Sequence, residues 1–206
     1  MKARTRASRL DPSERRARLL EHAIRVFGRR GIAAGRHAEI ARESGVAVST
    51  VFVYFPTRAD LVSAVLDEVE RFYVEMVERT LALERPAPRV LLALATAFAD
   101  SVDEHPEYAR LWLEWSAAFR DEIWPRFIAF QDRLTARVAR IVERGKAEGT
   151  VPASVDAEED ARVIVAAAPV VAQMKFSGRP PEQVARFLRT VVETTLGPLG
   201  ADRERS

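Results

Sequence analysis

Ser49, Thr50 and Tyr54 bring two hydroxyls and a phenol into the stretch 48–55, and Val53 stands among them. Ser49 and Val53, like Thr50 and Tyr54, are four residues apart, so a helix turns each pair to one side. Arg36, Arg42 and Arg58 flank the stretch. Hydroxyls at a helix start meet base edges and phosphate oxygens, and guanidinium groups meet phosphates. Anions also bind readily at helix N-termini. The chemistry these residues offer is recognition of double-stranded DNA without any covalent step.

Catalytic and metal chemistry find no comparable support. His22, His37 and His105 are far apart and lack metal-ligand spacing. Gly28, Gly31 and Gly35 follow a helical pattern and do not have the spacing of a dinucleotide loop. Asp121 and Glu122 adjoin at a helix start, where acids suit the macrodipole. There is no cysteine, hence no disulfide or thiolate site. No enzyme and no cofactor is expected.

The net charge of +2 over 206 residues conceals an asymmetry. Residues 1–60 carry 13 Lys/Arg against 6 Asp/Glu, a net +7, and residues 61–206 carry 19 against 24, a net −5. The N-terminal piece is therefore the one suited to a polyanion. No run of eighteen apolar residues is present, and the basic start lacks the apolar core of a secretory signal. No membrane partner is expected, and the location is read as cytoplasmic.

Proline and glycine divide the chain into helical blocks, with no strand-like alternation of useful length. Asp11-Pro12-Ser13-Glu14 is a helix start with a capping box, and Leu20, Ala23, Ile24 and Phe27 give that helix one apolar face up to Gly31. Short helices follow at about 37–44 and 48–55, separated by Gly45-Val46 and ended by Pro56. Such a pair must bury Ile40, Ala41, Val46, Val51, Phe52 and Phe55 while leaving its polar face outward. Thr57 with Asp60 caps a long helix to about Leu83. Later helices are read at about 88–103, 106–118, 125–149, 156–176 and 181–196, the fourth kinked at Pro169. The fold class is all-α, with about nine helices.

Phe27-Gly28-Arg29-Arg30-Gly31-Ile32, Ile40-Ala41, Gly45-Val46 and Tyr54-Phe55-Pro56-Thr57-Arg58-Ala59-Asp60-Leu61 resemble the TetR family of regulators. Three stretches are closer to its LuxR/HapR-type quorum-sensing branch: 37–41, 50–58 and the odd run Trp112–Pro125. The resemblance covers about residues 8–150. It implies a basic arm over 1–12, a helix-turn-helix domain over 13–60 with its motif at about 36–55, and a helical regulatory and dimerisation domain over 61–206. It also implies a homodimer on a palindromic operator, with Arg6 and Arg9 of the arm reaching the minor groove. Two positions depart from the branch. Val53 replaces a usual Asn, and so offers a thymine methyl contact in place of a hydrogen bond. Ala47 replaces a frequent Ser cap, leaving Ser49 as the alternative.

Tyr73, Met76, Phe98, Trp112, Trp115, Phe119 and Gln131 fall on or near inward faces and suit either a packed core or a pocket for a small amphipathic ligand. Val163, Ala166, Ala167 and Val170, with Val184, Phe187, Leu188, Val191 and Thr195, form two stripes for a dimer seam or for internal packing. Three functions fit these residues: a LuxR/HapR-like global regulator, a local ligand-responsive repressor, or a protein using its short helices only to bind a partner.

Overall fold

A computed structural model describes residues 11–197. Among them lie ten helical segments: α1 (Pro12–Arg30), α2 (His37–Ser44), α3 (Val48–Tyr54), α4 (Arg58–Leu81), α5 (Ala87–Glu104), α6 (Pro106–Ser116), α7 (Trp124–Ala147), α8 (Ala157–Ala166), α9 (Ala168–Phe176) and α10 (Pro181–Leu196). No strand occurs among the described residues, and none of their helices is long and apolar enough to cross a membrane. The all-α reading holds. The chain divides into two compact units between Glu68 and Val69, inside α4 rather than at its start.

The helix starts follow the local chemistry. At α1, Asp11 accepts from the Ser13 amide at 3.1 Å, while Glu14 accepts from the Asp11 amide at 3.2 Å. At α4, Thr57 and Asp60 exchange the same reciprocal bonds at 3.0 Å each. Both boxes satisfy amides that a helix N-terminus leaves without partners.

In the second unit α5 packs on α6, α7, α9 and α10, and α7 packs on α8. Its core includes Leu91, Leu94, Phe98, Trp115, Phe130, Val138, Ile141 and Leu196. The expected single helix over 156–176 is two, α8 and α9, meeting at Ala167. Pro169 supplies the cause: it has no amide for the Val165 carbonyl, and its ring crowds that turn.

The unusual run Trp112–Pro125 proves to be a corner. α6 stops at Ser116, short of the expected 118, and the chain turns through 117–123 before α7. Trp115 holds this corner. Its indole N–H donates to the Ile123 carbonyl at 3.0 Å, its ring stacks on Phe130 with centroids 5.6 Å apart, and Arg126 lies over its face. Trp115 is fully buried. Trp115→Ala removes that bond and leaves a large cavity, so it is expected to destabilise the second unit by about 3–5 kcal/mol, measured by urea denaturation followed by circular dichroism.

Candidate nucleic-acid interface

The first unit presents the short helix α3 on a framework of α1 and α2. Leu19, Ala23, Ile24 and Phe27 of α1 and Ile40 and Ala41 of α2 are buried together with Val51 and Phe55. Two glycines permit this packing. A Cβ on Gly35 would stand 2.5 Å from the Phe27 ring, so only glycine lets the loop close on it. Gly45 ends α2 at φ 68°, a left-handed conformation that L side chains rarely adopt. The Val46 amide then bonds back to the Ala41 carbonyl at 3.0 Å, which turns the chain into α3.

α3 has no side-chain cap. Its first flanking residue is Ala47, and no side chain, Ser49 included, bonds its leading amides. Support comes from the other end. His37 Nε2 lies 2.9 Å from the Phe55 carbonyl, and the imidazole stacks on Phe52 at 4.2 Å, within 5° of parallel. Arg16 places its guanidinium 5.1 Å above the Phe55 ring. His37 is 7% exposed and so belongs to the framework. In the sequence His37 figures only as one of three scattered histidines and as the first residue of the 37–41 stretch, neither of which assigns it this role. Its place at the first position of α2, beside the Tyr54-Phe55-Pro56 end of the next helix, was the available signal.

The outward face differs in one respect from the expectation. Phe52, read as buried, is 45% exposed, because only one side of its ring is covered, by His37. Val53 is 75% exposed and Ser49 is exposed, while Thr50 and Tyr54 are half-buried. The face presented to a partner is therefore more apolar than its hydroxyls alone suggested.

The arginines divide into two groups. Arg36 Nη1 donates to the Ala33 carbonyl at 2.9 Å, and Arg58 Nη2 donates to the same carbonyl at 3.0 Å. Both brace the 31–36 loop, and each guanidinium has five N–H donors in all. Arg29 pairs with Glu43, while Arg30 and Arg42 share Glu39 at 2.9 and 3.8 Å. Arg6 and Arg9 lie outside the described residues.

In the second unit, Tyr73, Met76, Phe98 and Trp112 meet at one cavity of about 80 Å³ among α4, α5, α6, α7, α8, α9 and α10. The other three pocket expectations fall elsewhere. Trp115 is in the corner described above, Phe119 is 63% exposed beyond the end of α6, and Gln131 is half-buried and not on the cavity wall. Of the seam residues, Val163 and Val170 are 51% and 42% exposed and Ala166 is exposed, whereas Val184 and Leu188 are buried within the chain. Phe187, Val191 and Thr195 are half-buried, as is Ala167; Ala167, Leu188 and Val191 also line the cavity.

The family model for bacterial regulatory proteins of the tetR family matches residues 19–65, which is α1 through the start of α4. A crystal structure of a regulator from Saccharomonospora viridis in complex with choline superposes with a TM-score of 0.75 over 89% of this chain and 98% of that one, at 23% identity. Residues 19–65 are thus similar to the DNA-binding segment of TetR-family regulators, and the fold over most of the chain is that of a TetR-like regulator. The TetR-family regulator LuxR of Vibrio harveyi is 41% identical over 121 residues, 59% of each chain. The match thus spans well under two thirds of LuxR. A transcriptional repressor of Streptomyces coelicolor is 27% identical over 80% of this chain and 83% of its own. These relatives are regulators of transcription and not enzymes.

His37→Phe keeps a ring to stack on Phe52 but leaves the Phe55 carbonyl without its partner. It is expected to destabilise the first unit by about 1–3 kcal/mol, read as a lower urea midpoint for the loss of its helical signal.

Proposed function

We propose that this chain is a sequence-specific DNA-binding regulator of transcription that works as a homodimer on a palindromic operator, resembling the LuxR/HapR branch. One observation carries this reading: α3 offers an exposed face, Ser49 and Val53 with half-buried Thr50 and Tyr54, on a TetR-type unit whose sequence carries a net +7. A short helix held from behind is what entry into a major groove requires. Ser49, Thr50, Val53 and Tyr54 discriminate bases or fix register. Arg36 and Arg58 position the loop and present their remaining N–H groups to phosphates, and Arg6 and Arg9 extend the contact into the minor groove.

The exposed apolar side of α8 and α9, Val163, Ala166 and Val170, supports pairing with a second copy. Two recognition helices about 34–36 Å apart would then read half-sites one helical turn apart. A DNA partner places the protein in the cytoplasm. The LuxR/HapR-like global role, with quorum sensing, rests on the 41% identity to LuxR.

A second reading, a local repressor answering to a small amphipathic ligand, is favoured by the cavity. α4 carries Arg58 in one unit and Met76 in the other. A ligand alters DNA affinity only as far as it prefers one state of the protein.

Selection of bound duplexes from random DNA at fixed salt tests the central claim. An enriched palindrome is expected, and no enrichment would exclude sequence-specific reading. Arg9→Ala should weaken binding to all duplexes and flatten the dependence of log affinity on log salt by about 1. An unchanged slope takes the arm out of the interface. Val53, lacking any hydrogen-bonding group, reads a thymine methyl. Replacing the contacted thymine by uracil should weaken binding several-fold for the native chain and leave Val53→Ala nearly indifferent, as judged by fluorescence anisotropy.

A further inference from the structure

The side chains of α3 share an omission. Its seven residues, Val48–Tyr54, include no Asn, Gln, Arg, Lys, Asp or Glu. Those are the side chains that read a base pair through a fixed pattern of donors and acceptors in the major groove. The hydroxyls that remain, on Ser49, Thr50 and Tyr54, each both donate and accept, so they impose no such pattern. What α3 offers with a fixed character is hydrocarbon.

That hydrocarbon is gathered on one side. Residues four apart lie one above the other on a helix, so Val48 with Phe52, Ser49 with Val53, and Thr50 with Tyr54 make three neighbouring rows. Val48, Phe52 and Val53 are 40%, 45% and 75% exposed, while Val51 behind them is buried. Two of the three are also pre-set. His37 stacks on one face of the Phe52 ring and leaves the other face open. A β-branched residue such as Val53 holds essentially one rotamer in a helix. Covering this patch therefore costs little side-chain entropy.

A single exposed apolar residue is ordinary, but three contiguous ones on a seven-residue helix form a surface for an occupant. The net +7 of residues 1–60 selects a polyanion over a neutral apolar partner. In the major groove of a duplex, the apolar feature on a base edge is the methyl group at C5 of a pyrimidine. Thymine always carries it, and cytosine carries it once methylated there. The two bases differ at C4, where thymine presents an accepting oxygen and cytosine a donating amino group. Valine and phenylalanine have no hydrogen-bonding side-chain group and are blind to that difference. They sense only whether C5 bears a methyl.

We propose that the patch formed by Val48, Phe52 and Val53 recognises the 5-methyl group of a pyrimidine as such. 5-Methylcytosine then takes the place of thymine in the operator, and methylation of a cytosine that faces the patch raises the affinity of this protein for DNA. The proposal rests on the reading of α3 as the base-contacting helix, and it adds a covalent mark on the DNA that tunes the contact.

The test uses the full chain and two random duplex libraries at one salt concentration, one with ordinary cytosine and one with every cytosine 5-methylated. The motif enriched from ordinary DNA should hold thymine at fixed positions. In the methylated library, at least one of those positions should accept 5-methylcytosine. Matched duplexes then carry thymine or uracil, and 5-methylcytosine or cytosine, at that position, and fluorescence anisotropy reads the affinities. Each methylated base should bind about two- to fivefold more tightly per half-site than its unmethylated counterpart, the gain from burying one methyl group. In Val53→Ala both ratios should fall towards one. Val53 is exposed, so this variant should melt with the native protein, which checks its folding. Equal binding of cytosine and 5-methylcytosine by the native chain overturns the proposal, and a surviving preference for thymine over uracil would then leave the regulator reading intact. Weaker binding of 5-methylcytosine overturns it by showing a contact closed to the methyl. Ratios that survive in Val53→Ala overturn the assignment to this patch. No motif from either library would overturn the regulator reading and this proposal with it, in favour of a protein partner for α3.

Discussion

A helix of seven residues does not persist alone in water. Isolated helices shorter than about 12–15 residues are marginal even with favourable composition, and α3 has valines at 48, 51 and 53 and no side-chain cap. Its existence depends on being held from one side. Val51 and Phe55 are sunk into the α1–α2 core, His37 engages the terminal carbonyl, and Arg16 covers the Phe55 ring. Several other features of the first unit serve this arrangement. Gly35 lets the loop approach Phe27, Gly45 sets the direction of the turn, and Arg36 and Arg58 fasten the loop carbonyls. Because all the support comes from behind, the front of α3 is left unobstructed.

The same constraint explains which parts of the protein were legible in its sequence. Helix starts at Pro12, Arg58, Pro106 and Pro181 follow from caps and prolines, whose effect is local. The break at Ala167 was foreshadowed by Pro169 for the same reason. Side-chain destinations were harder. Trp112 and Trp115 lie three residues apart on one helical face, and periodicity treats them alike. Yet one lines the cavity and the other pins the α6–α7 corner, because Phe130 and the Ile123 carbonyl meet only the second. Phe119 was assigned inward by extending a helix that in fact ends at Ser116. Phe52 shows the complementary failure: its ring is packed, but against a histidine at the margin rather than inside the core. Spacing tells which side a residue faces, and only the neighbouring element tells what it meets there.

Charge is arranged as economically as packing. The first sixty residues are strongly basic, yet Arg29, Arg30 and Arg42 are engaged with Glu43 and Glu39, exposed or half-exposed pairs worth at most about 1 kcal/mol each. Pairs this weak do not hold the fold. They fix the directions of long side chains and keep an unbalanced surface from repelling itself, while the excess of cations over anions still sets the long-range field. Attraction of a polyanion therefore needs no single exposed arginine. It is a property of the unit, and specificity has to come from groups that touch bases.

The exposed face of α3, the proposed reader of bases, is largely apolar. Val53 at 75% exposure and the side of Phe52 that His37 does not cover, 45% of the residue, leave hydrocarbon in water. A single exposed valine would be unremarkable, but two adjacent apolar residues on a helix otherwise held from behind form a surface that gains by being covered. The thymine methyl is the one apolar feature that a base edge displays in the major groove. In the proposed reading a face of this kind discriminates by shape and desolvation, with Ser49, Thr50 and Tyr54 adding orientation through hydrogen bonds. Hydrophobic contact is less directional than hydrogen bonding, so such a reader tolerates small shifts of register that a bidentate amide would reject. If position 53 meets a base as proposed, Val in place of Asn changes the kind of recognition, not only its strength.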